Sequence, residues 1–253
     1  MKNLKQLTIF IALLSLVIAL AGCSHEKESA PGNSAESTST SSAKGAPEDY
    51  PMGEYATNVD ALRAGLKSNN LVMHATIEVR YPNKTTLTEY TNAISGTKTA
   101  TEFKGLDPAP APAVHARYIT VDGTFYNINN IDKTYHSGPD EPDEEDEPDD
   151  NEFLAILLGN DSPSKTGRET FNGFMYDYKE FTSPDPDQSG DFSRLYFDEK
   201  GNWVGTYTYN ATVVGGGPGG TTVAAESFFY IKSISTTVPD ALFNIPTDYT
   251  KKS

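Results

Sequence analysis

From Leu71 onward the chain changes polarity at nearly every residue and breaks at short intervals on turn-forming pairs, a pattern that commits it to hairpins. Leu71, Met73, Ala75, Ile77, Val79 and Tyr81 alternate with Val72, His74, Thr76, Glu78 and Arg80, the period of a strand with one buried face. A second, Thr-rich strand is expected over 86–103, ended by the Pro-rich stretch 107–112. Asp122-Gly123 tolerates the positive φ of a tight turn and joins strands at 114–121 and 124–130. Asn172-Gly173 leads in the same way into Phe174, Tyr176 and Tyr178. Residues 198–201 link a strand at 192–197 to one at 203–209, and after the glycine-rich turn 215–220 a long strand runs over 222–234. Ahead of all these, Asn58 or Thr57 caps a short helix to about 68, with Val59, Leu62 and Leu66 on one apolar face. Hairpins in series, with no long helix between strands, predict a mostly β (α+β) fold: a strongly curved antiparallel open barrel or half-barrel closed by short helices.

The N-terminus reads as a targeting segment. Lys2 and Lys5 precede an apolar run over 7–21, shorter than the ~20 residues that span a bilayer core, so 1–22 is expected to be a signal peptide. Leu20-Ala21-Gly22-Cys23 resembles the lipobox of bacterial lipoproteins, which implies diacylglycerol on the Cys23 thiol and cleavage just before it. Acyl chains contribute about 0.8 kcal/mol per buried methylene, so two or three hold a protein at the bilayer. The expected location is the extracytoplasmic face of the cell membrane, lipid-anchored. Residues 23–49 are Ser, Thr, Ala, Gly, Glu and Lys with almost nothing apolar to bury, and read as a disordered tether to a domain at 50–253. Cys23 is the only cysteine, so disulfides, thiolate metal sites and a cysteine nucleophile are excluded from the folded part.

The formal charge of -15 argues against nucleic acid and against adhesion to anionic lipid, leaving the Cys23 lipid as the membrane contact. Nine carboxylates crowd 140–150, but Pro142 and Pro148 stiffen the stretch and no glycine gathers the oxygens around one cation, so a solvated loop is expected. Asp185-Pro186-Asp187-Gln188-Ser189-Gly190 begins like a calcium loop, yet Tyr196 stands where the motif needs a bidentate Glu. The four histidines, His25, His74, His115 and His136, have no metal-ligand spacing, and only His115 and His136 are placed to converge. The glycine-rich turn lacks the Lys-Ser/Thr of a phosphate loop. No nucleophile elbow, zincin helix or Cys-His pair appears, so the expectation is a protein that is not an enzyme and holds no metal or cofactor.

Three phrases carry a family resemblance: Tyr118-Ile119-Thr120-Val121-Asp122-Gly123-Thr124-Phe125-Tyr126, Tyr196-Phe197-Asp198-Glu199-Lys200-Gly201-Asn202 and Val238-Pro239-Asp240-Ala241-Leu242-Phe243-Asn244-Ile245-Pro246. Together they resemble the LolA/LolB lipoprotein-carrier superfamily, whose fold the mycobacterial LppX and LprG lipoproteins share. The resemblance covers about 55–249 and implies an open curved sheet closed by helices, with an apolar or lipid-like ligand in the hollow. It also implies a lid, for which 151–158 is the candidate, with Phe153, Leu154, Ile156, Leu157 and Leu158 on one helical stretch capped by Asp150 or Asn151. That helix either covers a ligand or plugs the sheet as core. Phe125, Phe174, Tyr176, Tyr178, Tyr207, Phe228 and Tyr230 are the candidate ligand residues on the strands. The acidic loop 139–150 departs from the family pattern, and the alternative function is a protein-interaction module that offers this loop and the sheet edges to a basic envelope protein.

Overall fold

Helix α1 (Asn58–Ser68) begins where Thr57, in extended conformation, accepts the Asp60 N–H on its hydroxyl at 3.1 Å. It ends at Asn69, whose left-handed backbone returns its N–H to the carbonyls of the last turn. The computed structural model describes residues 55–81, 84–106, 114–140, 162–182, 190–214 and 222–252. Cys23, the tether, the acidic loop beyond Asp140, the lid candidate 151–158, the stretch 185–189 and the turn 215–220 lie outside these described residues.

The strands follow in chain order: β1 (Asn70–Tyr81), β2 (Lys84–Ser95), β3 (Lys98–Leu106), β4 (His115–Val121), β5 (Thr124–Asn129) and β6 (Thr134–Pro139). Then come β7 (Lys165–Phe171), β8 (Phe174–Thr182), β9 (Phe192–Phe197), β10 (Trp203–Val214), β11 (Thr222–Ser235) and the two-residue β12 (Thr250–Lys251). They form one sheet in the order β12-β6-β5-β4-β3-β2-β1-β11-β10-β9-β8-β7. All pairings are antiparallel except β12 with β6, and the two ends do not meet, so the curved sheet stays open as a half-barrel. The chain is two meanders joined by β1 against β11, whose register slips by one residue between His74 and Ala75.

The strands depart from the sequence reading in two ways. The Thr-rich stretch is two strands, because Gly96 at φ 62 turns the chain through a two-residue loop closed by Ser95 against Lys98. Strands the reading lacks are β6, which follows a turn in which Lys133 takes φ 51, the edge strand β7 and the short β12. The turns at Asp122-Gly123 and Asn172-Gly173 carry positive φ at both residues, as expected of tight hairpins.

Leu71, Met73, Ala75, Ile77 and Val79 of β1 face α1 and are at most 3% exposed. On the other face Val72 and Glu78 are also buried, as suits the central strand of a sheet covered on both sides. Val72 lies under the C-terminal segment, where the 3-10 turn η1 (Asp240–Phe243) packs on β3 and β4. Gly65 lets α1 sit directly on the start of β1, since a Cβ there would come within 2.8 Å of Leu71 Cδ1 and the Asn70 carbonyl.

Candidate ligand-binding faces of the sheet

The position of α1 is set by one polar clasp. Asn58 is fully buried; its amide donates to the Trp203 carbonyl at 2.8 Å and its side-chain oxygen accepts the Trp203 N–H at 2.8 Å. Asn202 accepts the Asn58 N–H at 3.0 Å and is itself held by both carboxylate oxygens of Asp198. Three polar side chains and the Trp203 backbone thus tie the helix N-terminus to the β9–β10 turn, where an unpaired buried amide would cost ~1–3 kcal/mol.

The clasp places Trp203 at the head of an aromatic row on the helix face. Trp203 stacks on Phe229 at 5.8 Å between centroids, Phe229 meets Tyr90 at 5.7 Å, and Tyr90 meets Phe103 at 5.2 Å. Phe103 then meets Tyr118, and Tyr118 meets Phe125, each at 6.3 Å. The row crosses seven adjacent strands from β10 to β5, and the small Ala75 opposite Tyr90 leaves room for ring contact over β1. Its first four rings are buried, whereas Tyr118 and Phe125 are half-buried, so the row rises out of the core toward β5. Burial raises the phenol pKa of Tyr90 and Tyr118, keeping both neutral.

On the opposite face, over β7 to β11, a second aromatic group is built around charge. Phe171 stacks on Tyr196 at 4.1 Å and fills the space above Gly205, where a Cβ would lie 2.8 Å from its ring. Tyr178 covers Gly167 in the same manner. Three phenols donate to carboxylates: Tyr196 to Glu169 at 2.5 Å, Tyr207 to Glu226 at 2.9 Å and Tyr230 to Glu78 at 3.0 Å. Arg194 is forked between Glu180 at 2.7 Å and Glu169 at 3.0 Å, and Arg80 meets Glu78 at 2.6 Å. Burial, then the Glu226 hydrogen bond and charge, push the Tyr207 phenol up to about 12. Tyr196 and Tyr230 shift upward as well, first through burial and then through their glutamates. Burial acts against the Arg194 charge, but Glu180 and Glu169 outweigh it and raise its pKa.

The sheet therefore divides the residues singled out from sequence. Phe125 is on the helix face, at the open end of the row. Phe174, Tyr176, Tyr178, Tyr207, Phe228 and Tyr230 are together on the other face, with Phe174 40% exposed at the β7–β8 turn. Phe153, Leu154, Ile156, Leu157 and Leu158 fall outside the described residues, as does Cys23. The sequence reading missed Tyr90, Phe103, Tyr118, Phe229 and Trp203 as one row. The alternation of each strand was visible, but only the cross-strand registers bring these rings side by side.

His115 and His136 do not converge. His136 opposes Asn127, which opposes Tyr118, three residues along β4 from His115. His115 Nε2 instead lies 2.6 Å from Glu102 Oε1. His74 Nδ1 lies 2.9 Å from the Thr91 hydroxyl, and burial lowers its pKa against an opposing pull from Glu102. Among the described residues, no group of three or more His, Cys, Asp or Glu is placed to hold a metal ion, and no helix is long and apolar enough to cross a membrane.

No family model matches the chain, and no curated protein matches it. Solved structures do show likenesses. One is the MucA/MucB complex of Pseudomonas aeruginosa, at 13% identity over 76% of this chain and 62% of that one, with a TM-score of 0.39. Another is LprF from Mycobacterium bovis, at 14% identity over 76% of this chain and 97% of that one, with a TM-score of 0.37. A third is a domain assigned to outer membrane lipoprotein sorting, from Vibrio parahaemolyticus, at 11% identity over 74% and 95% and a TM-score of 0.23.

Proposed function

We propose that this chain is a non-catalytic, lipid-anchored protein of the extracytoplasmic membrane face that holds an apolar, lipid-like ligand on the helix face of its sheet. The supporting observation is the aromatic row, which continues from beneath α1 to the half-buried Tyr118 and Phe125. An acyl chain laid along the open end of that row would cover ring surface worth about 25 cal/mol per Å² of apolar area. The lid candidate 151–158 would close over it, and Cys23 would hold the domain at the bilayer.

The test is solvent extraction of the purified protein followed by mass spectrometry, together with uptake of a fluorescent fatty acid. Co-purifying lipid is expected, with uptake weakened in Tyr118→Ala and Phe125→Ala. Protein that is consistently empty and takes up nothing would overturn the reading. The mass of the N-terminal peptide tests the anchor separately, since an unmodified Cys23 thiol excludes it.

A second reading is favoured by β7. Among the described residues this edge strand pairs only with β8, leaving the outer backbone groups of Lys165–Phe171 open to another strand. The acidic loop precedes this strand in the chain, and loop and edge together would suit a basic envelope protein. Salt-sensitive retention of such a partner, lost on deletion of 140–150, supports this second reading.

A further inference from the structure

On the face away from α1, Phe228, Tyr207 and Phe192 stand side by side on β11, β10 and β9, with centroids 5.0 and 5.7 Å apart. All three rings are half-buried, so each keeps surface open to solvent. A guanidinium sits at either end: Arg80 Cζ lies 4.1 Å above the Phe228 ring and Arg194 Cζ 4.9 Å from the Phe192 ring. In register, Glu78, Phe228, Tyr207, Arg194 and Glu180 run straight across β1, β11, β10, β9 and β8. With strands about 4.8 Å apart, this strip is about 19 Å long.

The polar groups beside the rings are held in place. Arg80 is fixed by Glu78, Arg194 by Glu180 and Glu169, and the Tyr207 hydroxyl by Glu226. A guanidinium carries five N–H donors, so Arg80, whose side chain is 42% exposed, keeps donors for a ligand after its Nε meets Glu78. The strip therefore joins flat apolar rings to preset donors and acceptors at strand spacing. A purely apolar ligand would strip water from these charges without replacing it. A polyanion would meet four carboxylates, Glu78, Glu169, Glu180 and Glu226, against two guanidiniums. A pyranose suits both components, because its C–H face lies on a ring while its hydroxyls reach the guanidinium and carboxylate at the ring's edge.

We infer that this strip binds a linear oligosaccharide of neutral or amino sugars lying across the strands. The site is on the opposite face from the proposed lipid row and stands or falls independently of it.

The experiment is calorimetric titration of the full chain, kept in a polyoxyethylene detergent that carries no sugar, with cellotetraose, chitotetraose, its deacetylated form and polygalacturonate. Saturable binding of a neutral or amino tetrasaccharide is expected, without binding of polygalacturonate. Phe228→Ala and Tyr207→Ala each weaken it by about tenfold, and Tyr207→Phe, which keeps the ring, stays within about threefold. Arg80→Gln alters an exposed side chain and serves if the ring variants do not fold; it too weakens binding. Fatty-acid uptake is unchanged in Phe228→Ala. Absence of binding at millimolar sugar, preference for polygalacturonate, or equal affinity in Phe228→Ala and Arg80→Gln overturns the inference.

Discussion

The face turned away from α1 is completed in two different ways along the sheet. Over β1 to β6 the chain covers it with its own C-terminus: Phe243 and Leu242 pack on Val72, Ala93, Ala100, Ile119 and Ile128, and Arg117 donates to the Leu242 carbonyl at 2.8 Å. Over β7 to β11 no described segment plays that part, and the strands carry large rings there in place of small residues. Ala93 and Ala100 make room for a covering segment, whereas Phe171, Tyr196 and Tyr230 cover one another above Gly205. The phenols and arginines of the second half then present their polar ends to glutamates on β1, β7 and β8. A sheet face can be closed by a strap over small side chains or by large amphipathic side chains that leave a functional surface behind.

The sharpest way to break this contrast is Phe243→Ala, which empties the strap's one fully inserted ring. A loss of about 3–5 kcal/mol is expected by urea denaturation, with hydrogen exchange rising in β3 and β4 before β9 and β10. Asn58→Ala should cost about 2–3 kcal/mol, because both buried hydrogen bonds between its side chain and the Trp203 backbone are lost. It loosens α1 and the Trp203 end of the aromatic row, seen as a red shift of the single tryptophan's emission. Glu169→Gln is smaller, about 1–2 kcal/mol, since Arg194 keeps Glu180 while Tyr196 loses an ionised acceptor. Its effect should stay in β7 to β10 and leave β2 to β5 unchanged in hydrogen exchange.

The mildest probe is alkaline pH. The folded pKa of Tyr207 is raised from 10.0 to about 12, so the unfolded chain releases this proton first. The stability it contributes is complete below about pH 10 and is lost as pH rises through about 12, with Tyr196 and Tyr230 acting in the same direction. Exchange should therefore rise in β9 to β11 ahead of the strapped half. Simultaneous melting of both halves would show that the tyrosine-glutamate pairs do not hold the second half on their own.

Much of the architecture could be read from local pattern alone. Period-two alternation located the long strands, paired positive-φ residues marked two hairpins, and Val59, Leu62 and Leu66 marked α1, because each is a property of residues close in the chain. The turn at Gly96 and the strand β6 were less legible, since Thr-rich and mixed polar stretches leave strand ends undefined until a partner pairs with them. The candidate site was legible only in part. Phe125 and six rings of the second half were picked out by type, yet which face each belongs to depends on long-range registers and on the slip between His74 and Ala75. Residues far apart in the chain, Trp203 with Phe229, Tyr90 and Phe103, became one row only when β1 paired with both β2 and β11. Local sequence settles where strands and turns form, because backbone preference and side-chain period act over a few residues. Tertiary pairing alone decides which rings share a surface, because a shift of one residue moves a side chain to the other face of the sheet.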